Sequence, residues 1–233
     1  MSCTRLLLVL GVHILPRIIP SLSFWPLRQR GASPTVTEES SDPDHSGLVA
    51  SDSSQLKYTV PAIHYLPTNR YIMGSLSIAQ FLESTYPDPP VPLTSELGSK
   101  IEAESRSVLG TAFRVSVMPR EMEILSPRAQ DYFRRTREAA LGHRLEDLLD
   151  ADKEEQSWAA VGDGMRAVTE LMRTNEAEGP FVLGARPSYT DFFIAGSLQA
   201  ARVVNEGVFR RSIEYAGYKG IYEACLPYME RKT

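Results

Sequence analysis

The sequence predicts a small α/β unit followed by an all-helical domain, and three observations support that fold class. A strand-like run, a turn and a second short strand precede an amphipathic helix in residues 57–88. Residues 89–95 are rich in proline, which ends the helix and forms a stiff linker. Over residues 96–233, apolar side chains recur at helical intervals. Residues 1–56 form a divergent N-terminal segment.

Length and composition predict an ordinary globular protein. The chain has 233 residues, enough to bury a substantial core, with 42% hydrophobic and 23% charged residues. Its formal net charge of -4 repels phosphate groups, which disfavours nucleic acid as a partner. The two cysteines, Cys3 and Cys225, are too few for a disulfide framework, and no Cys or His spacing suits a metal. We therefore expect no metal site and a reducing compartment, the cytoplasm.

The N-terminal segment allows two interpretations. Residues 1–15 combine an early arginine with the apolar run LLLVLGVHIL, which is typical of a secretory signal and would make the protein secreted. The following residues lack a clean cleavage site, so the run is alternatively an apolar helix of the fold. Residues 31–54 are rich in Ser, Asp, Pro and Gly, which predicts a flexible loop. No apolar stretch is long enough to span a membrane.

A proline interrupts the first predicted strand at Val60-Pro61. Tyr58, Val60 and Ile63 favour a strand, but Pro61 has no N–H to donate to a neighbouring strand. If this peptide bond is cis, the Val60 backbone turns outward and offers its N–H and C=O groups to a peptide-like ligand. If it is trans, Pro61 begins an edge strand. The residues alone leave both alternatives open.

The helix after the predicted hairpin is expected to begin at Ser75. A turn signal at residues 67–69 and the second strand, RYIM, precede it, and Leu76, Ile78 and Leu82 then follow a helical spacing. Ser75 is therefore the predicted N-cap. The exposed N–H groups of a first helical turn and the helix dipole also suit a carboxylate, so capping and anion binding are compatible roles.

Two capping boxes are predicted in the helical domain. Asp152 with Glu155 marks one helix start, and Ser188 with Asp191 marks the start of a buried, largely apolar helix. The second box is expected to be structural, because the Ser188 hydroxyl and the Asp191 carboxylate satisfy amide groups that water cannot reach.

A cluster of large side chains precedes these boxes. Tyr132, Phe133 and Arg137 either line a pocket for a second substrate between the two parts of the chain, or reflect core packing and solvated charge.

Three segments together resemble the glutathione S-transferase superfamily, especially fungal members similar to bacterial β-etherases. They are YTVPAI, YIMGSLSIAQFLESTYPDPPVPL and GPFVLGARPSYTDFFIAG, and the resemblance covers roughly residues 57–231. It implies a thioredoxin-like α/β half, a helical C-terminal half and glutathione as co-substrate. It also implies that Val60 and Pro61 hold the cysteinyl part of glutathione and that Ser75 holds the γ-glutamyl carboxylate. Members often pair, which makes a homodimer an expectation.

The sequence departs from the family pattern in two places. Gly74 stands where the family has Asp or Glu, which removes a carboxylate partner for the glutathione ammonium group. The family also begins with a strand followed by the Ser, Cys or Tyr that stabilises the thiolate, and here only Cys3 and Thr4 lie near that position. The catalytic residue is therefore unassigned, and the α/β half is expected to be partial or degenerate.

Two functions follow from the resemblance. One is an enzyme that transfers glutathione to a small electrophile such as an aryl ether or a secondary metabolite. The alternative is a non-catalytic module of the same fold that binds or assembles without turnover.

Overall fold

The computed structural model describes residues 22–24 and 62–229. The described α/β unit contains a three-stranded antiparallel sheet in the order β1-β2-β3. Its strands are β1 (Leu22–Phe24), β2 (Ala62–Tyr65) and β3 (Arg70–Met73). The predicted hairpin is thus present as β2 and β3, whereas β1 was not predicted by the sequence. Tyr58, Val60 and Pro61 lie outside the described residues.

The turn of the hairpin depends on one residue with a positive φ angle. A short 3₁₀ helix, Leu66–Thr68, ends at Asn69, which has φ 52° and ψ 33°. Asparagine adopts this left-handed conformation more readily than most residues, because its side chain can hydrogen-bond locally. The turn sets Ile63 opposite Ile72 in the strand register. Both isoleucines are buried, and they form one face of a small core.

Seven α-helices follow among the described residues. They are α1 (Ser75–Thr85), α2 (Glu96–Ser116), α3 (Pro127–Leu141), α4 (Ala151–Met172), α5 (Tyr189–Val204), α6 (Glu206–Ser212) and α7 (Ala216–Met229). Two further 3₁₀ helices, Met118–Glu123 and Leu145–Leu148, flank α3. None of the helices within these described ranges is long and apolar enough to cross a membrane.

The main core lies between α2, α4, α5 and α7. Met165 of α4, Phe192 of α5 and Cys225 of α7 are fully buried in it. Trp158 joins α4 to α2, because its indole N–H donates to the Ser116 Oγ at 2.9 Å. Burying side chains of this size contributes about 1.5–3 kcal/mol each. This core contains many more buried side chains than the small core around Ile63, so it contributes more to the stability of the fold.

The start of α4 differs from the sequence prediction. The N-cap of α4 is Asp150, whose carboxylate accepts from the backbone N–H groups of Asp152 and Lys153, so the predicted box at Asp152 and Glu155 is wrong. Helix α3 ends at Gly142, which has φ +77°. A glycine in this left-handed region commonly terminates a helix.

The proline-rich linker is fixed to both parts of the fold. Val91 is buried, and its N–H donates to the Glu83 Oε1 on α1 at 2.9 Å. One residue later, the Pro92 carbonyl accepts from the backbone N–H of Tyr189 at 2.9 Å. The linker therefore holds α1 close to the start of α5.

Candidate functional site

Ser75 is the predicted glutathione-binding residue that the structure describes. It is the first residue of α1, and Gly74 is the N-cap, so the prediction that Ser75 caps the helix is wrong. The Ser75 hydroxyl instead lies 3.4 Å from the Tyr189 hydroxyl, which is oriented to donate to it. At that distance the contact is weak, but it places Ser75 next to the start of α5.

The first turn of α1 has no side-chain cap. The first backbone hydrogen bond of the helix runs from the Ile78 N–H to the Gly74 carbonyl oxygen at 3.0 Å. The N–H groups of residues 75–77 come before it and therefore have no carbonyl partner within the helix. Free amides at a helix N-terminus, together with the helix dipole, suit a carboxylate. The half-buried Ser75 hydroxyl lies beside them and adds one more polar group.

Gly74 adopts a conformation that disfavours other residues. Its φ angle is +84°, and a Cβ atom built on it has no atom within 4 Å. Space therefore permits a carboxylate side chain at this position, but the backbone opposes it. The backbone conformation at position 74 therefore favours glycine over the acidic residue that the superfamily has there.

The capping box at the start of α5 fixes the residues that face α1. Asp191 is fully buried, and its carboxylate accepts from the Ser188 N–H at 2.7 Å, the Ser188 hydroxyl at 2.6 Å and the Val182 N–H at 2.8 Å. Burial raises the pKa of Asp191, while the three donors oppose that rise. Tyr189 lies between the two box residues, so the box holds its hydroxyl next to Ser75.

A cavity of about 600 Å³ lies within the helical domain, between α2, α3 and α5. Helices α2 and α5 run in the same direction here, since Glu102 pairs with Thr190 and Arg106 lies over Phe193 one turn further along. The cavity opens beyond these pairs. Seven of its lining residues are Gly110, Phe113, Val117, Phe133, Leu141, Ala200 and Ala201.

The sequence prediction for this cavity was partly right. Phe133 and Arg137 line it, whereas Tyr132 does not and is 58% exposed. Its described lining residues all belong to the helical domain, whereas one of the two alternatives placed a pocket between the two parts of the chain. The nearest lining residue of α5, Gly196, follows Tyr189 by seven positions, which is about 10 Å along a helix.

Three charged residues line the cavity: Arg114, Glu121 and Arg137. Burial raises the pKa of Glu121, and the charge of Arg137 partly offsets that rise. The guanidinium of Arg137 also lies over the Phe133 ring, 5.1 Å from its centroid. The lining therefore carries two positive side chains and one acidic side chain, and most of its other residues are apolar.

The helical domain is similar to a known protein family. The family model described as the glutathione S-transferase C-terminal domain matches residues 100–210, which contain most of α2, all of α3 to α5 and all the cavity residues. A glutathione S-transferase-like protein, ustS of Aspergillus flavus, is 28% identical over 193 residues, covering 76% of this chain and 69% of the relative. The helical part of the chain is thus similar to the C-terminal domain of glutathione S-transferases.

Solved structures of fungal glutathione transferases share its fold. GSTFuA3 from Phanerochaete chrysosporium has 28% identity and a TM-score of 0.64, covering 76% of this chain and 72% of its own. CsGST63524 of Ceriporiopsis subvermispora, solved in complex with glutathione, has 25% identity and a TM-score of 0.65, covering 75% and 73%. The predicted resemblance and fold class are confirmed: the described residues form a small α/β unit and a helical C-terminal domain.

Sequence reasoning missed the α2 residues that line the cavity. Gly110, Arg114 and Val117, together with Phe113, have the i, i+3, i+4, i+7 spacing of one helix face. A glycine and an arginine on an otherwise apolar face were the available signal. Glu121 had no such signal, because it lies in a 3₁₀ helix.

An ion-pair cluster holds α3, which forms one wall of the cavity. Arg134 donates to Glu138 at 2.8 Å and to Glu146 at 2.7 Å. The Arg134 hydrogen bond is the main cause that lowers the pKa of Glu146 to about 2, with a backbone N–H as the next. The cluster thus ties α3 to the 3₁₀ helix Leu145–Leu148.

The first prediction concerns the pH dependence of this cluster. A lowered pKa stabilises the fold above the ordinary carboxyl pKa of 4.5, and that contribution is lost as pH falls toward about 2. Arg134→Gln is therefore expected to be less stable than Arg135→Gln at pH 7, with the difference shrinking as pH falls below about 4. Urea unfolding followed by circular dichroism measures it. A difference that stays constant down to pH 2.5 would contradict the role given to Glu146.

Proposed function

We propose that this chain is a glutathione transferase-like protein that binds glutathione at the start of α1 and transfers it to a small electrophile in the helical-domain cavity. The observation that carries the proposal is the uncapped first turn of α1 with Ser75 held against α5. The likeness to CsGST63524, which is solved with glutathione, supports it. A cytosolic location, expected from the low cysteine content, and a homodimer, implied by the superfamily resemblance, belong to the same proposal.

The γ-glutamyl carboxylate of glutathione would accept from the amides of the first turn and from the Ser75 hydroxyl. Val60 and Pro61 remain the proposed partners of the cysteinyl backbone. In the reaction, the sulfur of the thiolate forms a C–S bond with an electrophilic carbon. The leaving group departs with the electron pair of its bond to that carbon, and the thiol proton passes to solvent.

Gly74 favours a second candidate, a binding module without turnover. A glycine offers no carboxylate to the glutathione ammonium group, and a hydrogen bond between such charged groups is worth about 1.5–3 kcal/mol. A glutathione site weakened by that amount still binds, but it holds the tripeptide less firmly for reaction.

The second prediction tests the Ser75 site. Ser75→Ala is expected to weaken glutathione binding by roughly ten-fold, the effect of losing one hydrogen bond to a charged group. The measurement is isothermal titration calorimetry with reduced glutathione. Ser84→Ala is the matched control, because Ser84 lies on the same helix, is exposed and donates only to the Phe81 carbonyl. Equal affinity in both variants would contradict the proposed site.

A conjugation assay separates the two functions. With 1-chloro-2,4-dinitrobenzene and glutathione, release of chloride and formation of the thioether select the enzyme. Binding without product formation selects the module. A full-length protein that neither binds nor conjugates glutathione would overturn both.

A further inference from the structure

We propose that the cavity between α2, α3 and α5 selects an apolar molecule that carries one anionic group, with Arg114 and Arg137 as the partners of that group. The inference deepens the proposed function, because it gives the chemical class of the second substrate. Binding of this molecule does not itself require glutathione, so the two proposals can fail separately.

The walls of the cavity determine the apolar part of the ligand. Phe113 and Val117 of α2 face Ala200 and Ala201 of α5 across it, and Phe133 of α3 closes a third side. A volume of about 600 Å³ is within the range of small-molecule sites and accommodates a substituted ring system. Such surfaces bind by removing apolar area from water.

Arg114 supplies the specificity for an anion. Within residues 62–229, no carboxylate lies within 4 Å of its guanidinium, although other arginines of the domain are paired. Arg134, for example, contacts both Glu138 and Glu146. The N–H groups of Arg114 are therefore available to a ligand. A guanidinium can bind a carboxylate through two parallel hydrogen bonds.

Arg137 adds a second positive charge to the lining, from α3. Its guanidinium lies over the ring of Phe133, which also lines the cavity. Glu121 is the acid of the lining, and its charge interacts with Arg137. Two arginines against one carboxylate leave the lining with a formal charge of about +1, whereas the whole chain carries -4. An anionic ligand complements that local excess.

A larger side chain in place of Gly110 is expected to fill the cavity without disturbing the fold. A Cβ atom built on it meets no atom within 4 Å, and the residue lines the cavity. A leucine at this position would project into the open space of the cavity. Leucine also favours a helix more than glycine does, so the variant is expected to fold at least as well.

The test compares 2-naphthoate with its uncharged analogue 2-naphthamide by isothermal titration calorimetry, using the full-length protein without glutathione. Naphthoate is expected to bind at least five-fold more tightly, as one charge-assisted contact implies. Arg114→Gln and Arg137→Gln are each expected to weaken naphthoate binding roughly 3- to 10-fold while leaving naphthamide unchanged. Arg135→Gln is the matched control, because Arg135 lies over Tyr132 outside the cavity.

Gly110→Leu is expected to reduce binding of both compounds at least ten-fold, while thermal melting shows an intact fold. Equal affinity for the acid and the amide, or unchanged naphthoate binding in Arg114→Gln, would overturn the inference. Naphthoate binding that Gly110→Leu does not affect would place the ligand elsewhere and would also overturn it. If naphthoate binds as expected but glutathione does not, the inference stands and the proposed transfer reaction fails.

Discussion

Replacing Asp191 with alanine is expected to destabilise the protein by about 3–5 kcal/mol, because the change leaves three buried donors without an acceptor. These are the Ser188 N–H, the Ser188 hydroxyl and the Val182 N–H, each within 2.8 Å of the carboxylate. A buried donor without a partner costs about 1–3 kcal/mol, and neighbouring losses add incompletely. Urea unfolding followed by circular dichroism measures the effect as a lower midpoint.

Two further variants locate the cause of this loss. Asp191→Asn keeps one carbonyl oxygen but directs an NH₂ group at a donor, so an intermediate loss is expected. Asp163→Ala removes a carboxylate from an α4 side chain that is 96% exposed, and its effect is expected within about 0.5 kcal/mol of zero. If Asp191→Ala falls within 1 kcal/mol of Asp163→Ala, the capping box does not stabilise α5 as described.

The box also connects stability with the candidate glutathione site. Tyr189 follows Ser188 directly, its backbone N–H donates to the linker at Pro92, and its hydroxyl contacts Ser75. If the first turn of α5 loosens, both contacts are lost together. Asp191→Ala is therefore also expected to weaken glutathione binding under conditions in which the protein remains folded.

Local sequence patterns predicted much of this fold. The hairpin, the helix that follows it and the capping box at Ser188 each depend on residues within about five positions of one another. Their chemistry is visible in a short window of sequence. The three-residue strand β1 is different, because its pairing with β2 spans about forty residues of chain. No local pattern reveals a strand whose hydrogen bonds come from so far away.

The site was less predictable for the same reason. Gly74, with φ +84°, is the N-cap of α1, and Ser75 is its first residue. The sequence does not distinguish a serine that caps a helix from one that begins it. The contact between Ser75 and Tyr189 joins positions 114 residues apart. Phe133 was recognisable as a candidate, but successive helical residues are about 100° apart, which turns Tyr132 away from the cavity.

The close packing of α7 on α4 leads to the second large effect. Gly217 of α7 is buried, and a Cβ atom on it would lie 2.9 Å from the Thr169 Cα, 3.0 Å from the Thr169 carbonyl oxygen and 3.2 Å from the Met172 Cβ. Two of these are backbone atoms, which cannot rotate away. Gly217→Ala therefore forces the two helices apart, and such overpacking costs about 1–3 kcal/mol.

Gly220 is the matched control on the same helix, because a Cβ atom there meets nothing within 4 Å. Gly220→Ala is expected to stabilise the protein by about 0.5–1 kcal/mol through helix propensity alone. The same propensity gain acts in Gly217→Ala, so the difference between the variants isolates the cost of the helix contact. Urea midpoints measured side by side are expected to shift in opposite directions. A shift of the same sign and size in both would mean that α7 does not pack on α4 at the distance that requires glycine.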